Sequence, residues 1–462
     1  MKKIILSFLV LGTLFSCGKT KKEETLAETK VETQEVVVET LAPIDDAMME
    51  NAVIYEANIR QYSEEGSFKA FTKDIPVLKQ LGVKILWVMP IYPISTTKSK
   101  GSLGSYYAIS DYTRVNPEFG TIEDFRDLVK TAHDNGIYVI LDWVANHTGW
   151  DHVWLKEHPE YYTKDKEGNI THTVGTDWTD VADLNYDNQE MRAQMLKDMT
   201  YWVKEEGVDG FRCDVAGMVP TDFWNTTVAE LKKIKPLFML AEGWKPELLE
   251  DAFDMGYAWD THHKMNDIAQ GKAKVNEWDK RMSQIDTMYA KDDILMNFTS
   301  NHDENSWNGT VTERMGDAKE LFAALSYVAP GMPLIYSGQE YDMDKRLLFF
   351  EKDTIIKKKG TFFPLYEKLG QLKNNNPALH GGKEAASYTR LKTSIDDKVL
   401  AFKREKEGSK VVFIANMTSN PAKFSFEYQG KWIDYLSGET YASKPEDTHS
   451  LEGWKYRILI QE

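Results

Sequence analysis

Three acidic residues each stand where a short apolar run ends, and this placement suggests catalysis by carboxyl groups. Asp214 ends the run GFRCD, Glu242 ends PLFMLAE, and Asp303 ends DILMNFTSNHD. A fourth acid, Asp142, ends YVILD and leads into WVANH. Short apolar runs that stop at a carboxylate are typical of parallel barrel strands with acids at their C-terminal rim. Facing carboxyl groups at such a rim could cleave a glycosidic bond, a reaction that uses a pair of them.

Asp214 and Glu242 differ in their sequence surroundings, and the difference predicts different roles. Residues i and i+2 of a strand share a face, so Arg212 points to the same side as Asp214 and favours its ionised form. An ionised carboxylate suits the cationic transition state of glycosidic cleavage. The run before Glu242 is apolar, and apolar surroundings keep a carboxyl protonated and able to donate. Cys213 points to the other face, where we expect a buried packing residue.

The elements that would hold these acids alternate along the chain. Helical stretches that end in glycine precede apolar strands; one such helix opens at Thr121 with the capping-box-like TIED and closes at Gly136 before IYVILD. Eight strand candidates begin at Val53: AVIYEANI, VKILWVMP, IYVILD, DGFRCD, PLFMLAE, Met255 to Tyr257, DILMNF and MPLIYS. The pattern predicts an α/β fold, a (β/α)8 TIM barrel over residues 51–380, although an open sheet has the same periodicity.

Two segments break this alternation. Residues 148–185 are rich in Trp, Tyr, His and Gly and are longer than a usual strand-to-helix loop, which indicates a small excursion domain after the third strand. Residues 381–462 change to alternating runs such as VLAFKR and KVVFIANM, which predict a C-terminal antiparallel β-sandwich. Before the second strand, one continuous helix is predicted from Phe68 to Gln80.

The N-terminus predicts export and lipid attachment. Lys2 and Lys3 precede an apolar stretch too short to span a bilayer, and LFSC, which ends in Cys17, resembles the lipobox of bacterial lipoproteins. We interpret residues 1–17 as a lipoprotein signal peptide with Cys17 as the lipidated residue; an ordinary signal peptide is the alternative. Residues 18–50, rich in Glu, Thr and Lys, are expected to be a disordered acidic tether. These features predict an extracytoplasmic protein anchored to a bacterial membrane, most simply the outer membrane.

Composition narrows the classes of partner. The formal charge of −16 disfavours nucleic acid and anionic lipid as main partners and leaves neutral glycans open. Only two cysteines occur in the sequence, so a chain lipidated at Cys17 holds no internal disulfide. We expect a monomer without an organic cofactor.

Several motifs resemble the signatures of the α-amylase family of glycoside hydrolases and occur in the family's order. The main ones are DWVANH from Asp142 to His147, GFRCD from Gly210 to Asp214, AEGW from Ala241 to Trp244, and FTSNHD from Phe298 to Asp303. Supporting motifs are SYYAISDY from Ser105 to Tyr112, ADLN from Ala182 to Asn185, and GMPLIYSGQE from Gly331 to Glu340. The resemblance covers about residues 51–380.

The resemblance implies a retaining hydrolase that cleaves mainly α-1,4 bonds of starch-like glucans or maltooligosaccharides. It assigns the nucleophile to Asp214, the general acid/base to Glu242 and stabilisation of the transition state to Asp303. Substrate binding is assigned to Tyr107, His147, Arg212, His302 and Asp142, with Asp142 interpreted as an acid that holds the site together. Some tryptophans of the predicted rim loops are expected to be sugar platforms: Trp143, Trp150, Trp154, Trp178, Trp244 and Trp307.

The activity and the metal content both have alternatives. A glucanotransferase would use the same residues with a sugar hydroxyl in place of water, and an inactive glycan-binding lipoprotein is the alternative from another class. The resemblance also implies a structural calcium site with Asn146 and Asp183 as oxygen ligands. Many calcium-dependent members have Lys-His after the nucleophile, where this chain has Val215 to Met218, so a calcium-free site is open as well.

Overall fold

The predicted strands form a closed barrel of eight parallel strands in the computed structural model, which describes residues 41–426, 428–444 and 446–461. Neighbours around the barrel follow the order of the chain. The strands are Ile54–Ala57, Ile85–Val88, Tyr138–Trp143, Gly210–Cys213, Phe238–Ala241, Met255–Tyr257, Ile294–Asn297 and Met332–Tyr336. Closure confirms the (β/α)8 prediction and excludes the open sheet.

Side chains of the strands alternate between the barrel interior and the helices outside. Inward side chains such as Ile140, Leu240 and Met296 form one buried apolar cluster. Outward side chains such as Phe211 and Cys213 belong to a second cluster that includes the helices. Cys213 is fully buried, as predicted. The alternation continues to the carboxyl ends of the strands, so that inward positions there carry the polar residues of a rim.

Helices lie outside the barrel. The longer ones are Ile122–Asp134, Gln189–Lys204, Thr221–Lys232, Trp259–Ala269, Val275–Met288, Lys319–Val328 and Phe362–Asn375. The shorter ones are Asp46–Asn51, Ile59–Tyr62, Phe68–Thr72, Ile75–Gln80, Val153–Glu157 and Val311–Met315. The predicted capping box is present, because Asp124 N donates to Thr121 Oγ1 at 3.3 Å and Thr121 N donates to Asp124 Oδ2 at 3.0 Å. Within the described part of the chain, every helix is too short or too polar to cross a membrane.

The prediction of one continuous helix from Phe68 to Gln80 is wrong. The structure has two helices, Phe68–Thr72 and Ile75–Gln80, with a turn between them. Pro76 accounts for the break, because its ring would clash with the carbonyl of Thr72 and it has no N–H to donate. The first turn of a helix tolerates proline, and Pro76 lies in the first turn of the second helix.

Residues 41–50 are folded, which corrects the tether predicted for residues 18–50. The helix Asp46–Asn51 begins in this segment, and Ile44 is only 7% exposed within the inner barrel cluster. The carbonyl of Ala42 accepts a hydrogen bond from the hydroxyl of Tyr138 at 2.8 Å. Apolar residues among the charged ones explain the difference, since they pack against the barrel interior: Leu41, Ile44, Met48 and Met49. The signal peptide, Cys17 and the rest of the predicted tether lie outside the described residues.

The two departures from the alternating pattern are both present. The excursion after the third strand contains an antiparallel pair, His147–Gly149 with Val181–Asp183. The C-terminal region has a six-stranded antiparallel sheet and a two-stranded one, joined by a buried apolar cluster. In sheet order the six strands are Ser387–Leu391, Val399–Lys406, Ser409–Asn416, Tyr456–Gln461, Gly430–Asp434 and Thr440–Ser443, and the two are Ala422–Phe424 and His449–Leu451.

Candidate active site

Arg212 lies among the carboxyl groups of the rim and contacts them. Its side chain is fully buried, and Nη1 lies 2.8 Å from Asp142 Oδ1 and 2.9 Å from Asp214 Oδ1. Its Nη2 lies 2.9 Å from Glu242 Oε2, as an ion pair. Neighbouring strands explain the arrangement, because Asp142 pairs in register with Arg212, and Cys213 pairs with Ala241 just before Glu242. One guanidinium thus contacts three of the carboxyl groups singled out in the sequence.

Buried carboxyl groups that share one cation compete for negative charge. Burial and the charge of Glu242 raise the pKa of Asp214, whereas Arg212 opposes them. Burial also raises the pKa of Asp142, against the charges of Arg212 and His302. Arg212 therefore acts to lower the pKa of Asp214, as predicted, but burial and the charge of Glu242 raise this pKa by more. Carboxyl groups that interact in this way titrate as a group and not one by one.

A strained backbone turn positions Glu242. Val215, the residue after Asp214, has φ 37° and ψ 44°, a left-handed conformation that is rare for a β-branched residue. In this conformation its N–H donates to Glu242 Oε2 at 2.7 Å. Strain of this kind persists only where the surrounding structure enforces it. The turn therefore couples the positions of Asp214 and Glu242.

His302 links two further parts of the rim. Its Nε2 lies 2.8 Å from the hydroxyl of Tyr107, and its Nδ1 lies 2.5 Å from Glu56 Oε1. Burial by itself lowers the pKa of His302, but the charges of Asp303 and Glu56 outweigh it and raise the pKa to about 9. At neutral pH His302 is therefore a cation that donates from both ring nitrogens.

Glu56 is a site residue that the sequence analysis missed. It is fully buried on the first barrel strand, and its Oε2 has no hydrogen-bond partner among the described residues. Burial raises the pKa of Glu56, and His302 opposes this rise. The sequence could have identified Glu56, because Ile54 faces the barrel interior and residue i+2 of a strand lies on the same face.

The rim residues open into a cavity of about 590 Å³, a volume typical of small-molecule sites. All three predicted catalytic acids line it. The complete lining is Lys100, Ser105, Tyr107, His147, Asp177, Trp178, Asp180, Val181, Asp214, Val215, Glu242, His302, Asp303, Trp307, Phe349 and Phe350.

The residues assigned to substrate binding fall into two groups. Tyr107, His147 and His302 line the cavity, whereas Arg212 and Asp142 are fully buried behind it. Asp142 Oδ2 accepts hydrogen bonds from Trp87 Nε1 at 3.1 Å and from the Tyr107 hydroxyl at 3.0 Å. Arg212 and Asp142 therefore position the residues of the lining.

His147 is neutral, in contrast to His302. Burial lowers the pKa of His147 to about 4. Asn146 Nδ2 lies 3.1 Å from His147 Nδ1 and donates to it, because a neutral ring accepts at one nitrogen. The remaining nitrogen, Nε2, then carries the proton and can donate to a ligand hydroxyl.

Aromatic residues of the lining are only partly those that the sequence indicated. Of the six tryptophans singled out, Trp178 and Trp307 line the cavity. The other four do not: Trp143, Trp150, Trp154 and Trp244. Phe349 and Phe350 were missed because they lie in an irregular segment after the last barrel strand. The ring of Phe349 is nearly parallel to that of Tyr107, at 12° and 6.3 Å between centroids.

The predicted calcium ligands lie together. Asn146 Nδ2 donates to Thr173 Oγ1 at 2.9 Å, and Thr173 Oγ1 donates to Asp183 Oδ1 at 2.8 Å. The described ranges contain no group of three or more His, Cys, Asp and Glu side chains placed to hold a metal ion. The oxygen donors suit calcium in type, but the hydrogen bonds between them would have to break for all of them to bind it.

Comparisons with known proteins agree with this geometry. Residues 53–179 and 175–361 match the family model of the alpha amylase catalytic domain. Alpha-amylase 3 of Dictyoglomus thermophilum is 26% identical over 462 aligned residues, which cover 84% of this chain and 88% of the relative. A 4-alpha-glucanotransferase of Thermotoga neapolitana is 31% identical over 317 residues, or 60% of this chain and 68% of the relative.

The structural comparison extends beyond the barrel. The crystal structure of a maltogenic alpha-amylase from Thermotoga neapolitana superposes with a TM-score of 0.82 at 30% identity, and the match covers 89% of this chain and 98% of that one. The family match alone spans the whole barrel, the excursion and the rim carboxyl groups around Arg212. The chain therefore belongs to the alpha-amylase family.

Proposed function

We propose that this protein is a retaining hydrolase that cleaves mainly α-1,4 bonds in starch-like glucans or maltooligosaccharides. The observation that carries the proposal is the placement of Asp214 and Glu242 on one guanidinium, with both carboxyl groups in the cavity. Membership of a family whose relatives include alpha-amylases supports the class of substrate.

The first step forms a bond to Asp214. Its ionised carboxylate attacks the anomeric carbon while the glycosidic C–O bond breaks and the leaving oxygen takes the proton of Glu242. Arg212 compensates the charge that moves from Asp214 to Glu242, because it contacts both carboxyl groups. The cluster therefore keeps its net charge while the bond is broken.

The second step releases the sugar. Glu242, now ionised, takes a proton from water as the water oxygen attacks the anomeric carbon, and the bond to Asp214 breaks. Asp303 lies 3.5 Å from His302 Nε2 and lines the cavity, where its carboxylate can stabilise positive charge on the sugar ring. Tyr107 offers a ring face to the sugar, and the neutral His147 offers a donor.

Stereochemistry tests this proposal. Two displacements at one carbon retain configuration, so the first product from maltooligosaccharides is the α-anomer, visible by proton NMR before mutarotation. A first product with the β-configuration would contradict the proposed nucleophile.

A glucanotransferase is the second candidate, and the similarity to the 4-alpha-glucanotransferase of Thermotoga neapolitana favours it. It differs only in the acceptor, a sugar hydroxyl instead of water. Incubation with maltotriose separates the two, since transfer yields oligosaccharides longer than the substrate and hydrolysis yields only shorter ones. An inactive glycan-binding protein would produce neither.

We also propose the calcium site, with Asn146 and Asp183 as ligands. Calcium there would join the barrel to the excursion and supply structural support only. Binding to the folded chain would raise the melting temperature on addition of calcium, and Asp183→Asn would remove this rise. An equal melting temperature with calcium and with a chelator would contradict the site.

The proposed location is outside the cytoplasm on a lipid anchor at Cys17, for a monomeric enzyme. The lipobox-like LFSC supports the anchor. Cys17→Ser should abolish acylation and release the protein from the membrane fraction. Unchanged membrane association of this variant would contradict lipidation at Cys17.

A further inference from the structure

One side of the cavity is closed by a segment that follows the second barrel strand. We call residues 96–104 the strap. Its outer surface is largely exposed, whereas Lys100 reaches the cavity lining. The strap runs from the excursion on one side to the segment that carries Phe349 and Phe350 on the other, and it is held at both ends.

The first end of the strap is fixed to the excursion. Asp151 Oδ2 accepts hydrogen bonds from the backbone N–H groups of Thr96 at 2.9 Å and Thr97 at 3.1 Å. Lys100 Nζ donates to the carbonyl of Asp177 at 3.1 Å and lies 2.9 Å from Asp180 Oδ1. Both Asp177 and Asp180 line the cavity. These contacts seal the strap against the wall that the excursion provides.

The second end is fixed to the segment after the last barrel strand. Ser102 N donates to Glu351 Oε1 at 3.0 Å, and Leu103 N donates to the carbonyl of Phe350 at 3.0 Å. Gly101 has φ +65°, and a Cβ there would clash with Phe350 Cβ, so the backbone of the strap packs directly against Phe350. The strap, the excursion and Phe350 therefore form one continuous wall.

Another part of the cavity is lined by Asp214, Val215 and Glu242. The chain beyond Glu242 is exposed at Trp244, 53%, and the chain beyond Val215 is exposed at Met218, 48%, although neither side chain lines the cavity. Glu242 itself contacts Arg212 and Val215, whereas Tyr107, on the side of the wall, contacts His302 and Phe349. The strap therefore lies on the Tyr107 side of the cavity, and exposed chain follows the proton donor.

We propose that the strap closes the glycone end of the cavity, so that the enzyme attacks α-glucans from their non-reducing ends. This inference rests on the proposed function. The leaving chain takes its proton from Glu242 and departs on the side of the exposed chain that follows Glu242. The sugar bound to Asp214, with everything attached on its non-reducing side, must then fit between Asp214 and the wall. A chain end fits there, and the interior of a long polymer does not.

A pair of oligosaccharides tests the position of the chain end. The substrates are 4-nitrophenyl maltoheptaoside and the same compound blocked by a 4,6-O-ethylidene group at its non-reducing end. For the wild-type full chain we expect kcat/KM on the blocked substrate to be lower by at least about tenfold, because the block cannot pass the wall. Equal cleavage of the two would overturn the inference. Failure to cleave either would overturn the proposed function and the inference with it.

Variants of the residues that anchor the strap test whether the strap causes the discrimination against the blocked substrate. Asp151→Ala combined with Glu351→Ala removes acceptors at both ends without changing a residue of the cavity lining. The ratio of kcat/KM for blocked over free substrate should rise by about tenfold, with the free substrate changed by less than about threefold. The matched control, Asp151→Asn with Glu351→Gln, keeps an acceptor oxygen at each position and should keep the wild-type ratio.

Two outcomes of this comparison would overturn the role of the strap. One is an unchanged ratio in a double-alanine variant whose thermal melt matches the wild type. The other is an equal rise in the control pair. If the double variant does not fold, the single variants Asp151→Ala and Glu351→Ala are measured in the same way, and each should raise the ratio on its own.

Discussion

We expect Glu56 and His302 to set the alkaline limit of activity. With the pKa of His302 near 9, the imidazolium can donate to Tyr107 and to Glu56 at neutral pH. The pKa of His302 in the folded chain is raised above its ordinary 6.5, so its contribution to stability is complete below about 6.5 and is lost as pH rises through about 9. Activity of the folded enzyme that needs the cation should decline as pH rises through about 9.

Glu56→Gln removes one of the two charges that hold His302 protonated. The pKa of His302 should fall, so the alkaline limb of the kcat/KM profile should move to lower pH by about one unit or more. The pH profile on a maltooligosaccharide measures this shift. Glu313→Gln, which removes an exposed pairing with Arg346, is the matched control and should leave the limb in place. An alkaline limb unmoved in Glu56→Gln would show that His302 does not titrate there.

Cys213 provides a check on the orientation of the catalytic strand. It is fully buried on the outward face, and burial raises the pKa of its thiol well above the ordinary value. The native protein should therefore resist iodoacetamide at this position, and the unfolded protein should not. Mass spectrometry of the peptide that contains Cys213 measures both. Rapid labelling of the native protein with parallel loss of activity would reverse the assignment of faces.

Single residues show where sequence reasoning succeeds. Asp214 and Glu242 could be placed at a shared rim because each ends an apolar run on an inward position of a strand. Glu56 could have been found by the same alternation. Phe349 and Lys100 could not, because irregular segments carry no periodicity and their positions depend on contacts with distant parts of the chain.

At the level of elements, residues 41–50 are folded although composition predicted a disordered tether. The average composition of residues 18–50 is charged and poor in apolar residues. Ile44 and its apolar neighbours nevertheless pack against the barrel interior. Pro76 shows the reverse case, in which one residue identifies a break that periodicity alone does not reveal. Apolar spacing therefore predicted the strands, whereas boundaries depended on individual residues.

Truncation distinguishes the tether from the folded segment. A chain that begins at residue 41 should keep its melting temperature within a few degrees and keep its activity. A chain that begins at residue 51 loses the buried Ile44 and Glu50, whose carboxylate lies 3.0 Å from Lys406 Nζ. Loss of such a buried apolar side chain costs about 2–5 kcal/mol, so its melting temperature should fall clearly. Calorimetry of both chains measures the difference, and equal melting temperatures would contradict the assigned boundary.

At the level of the whole molecule, Arg404 connects the C-terminal sheet to the barrel. Its guanidinium is fully buried and donates to the carbonyls of Val328 at 3.0 Å and His380 at 3.1 Å. It also donates to the carbonyls of Ser387 at 3.0 Å and Ala386 at 3.3 Å. The change from alternating helices and strands to β-like runs predicted the barrel and the C-terminal sheet. It did not predict this connection, since an arginine on a strand is usually solvated.

Arg404→Leu should destabilise the protein without changing the chemistry. The substitution leaves buried carbonyls without donors, at a cost of about 1–3 kcal/mol for each group that water cannot reach. Denaturant unfolding should show a loss of several kcal/mol, while kcat of the folded enzyme stays near wild type. Arg346→Leu, at an exposed ion pair, is the control and should change stability by less than about 1 kcal/mol. A loss no larger than that of the control would contradict the connection.

The central claim is that Glu242 gives its proton to the leaving oxygen while Asp214 forms the covalent bond, and the kinetics of Glu242→Gln test it most directly. Glutamine keeps the shape of Glu242 and cannot deliver a proton. Activity on maltooligosaccharides should fall by at least about 100-fold, whereas maltosyl fluoride, whose leaving group needs little protonation, should be affected far less in the first step. Asp214→Asn should impair both substrates. Equal losses on the two substrates for Glu242→Gln would contradict the account.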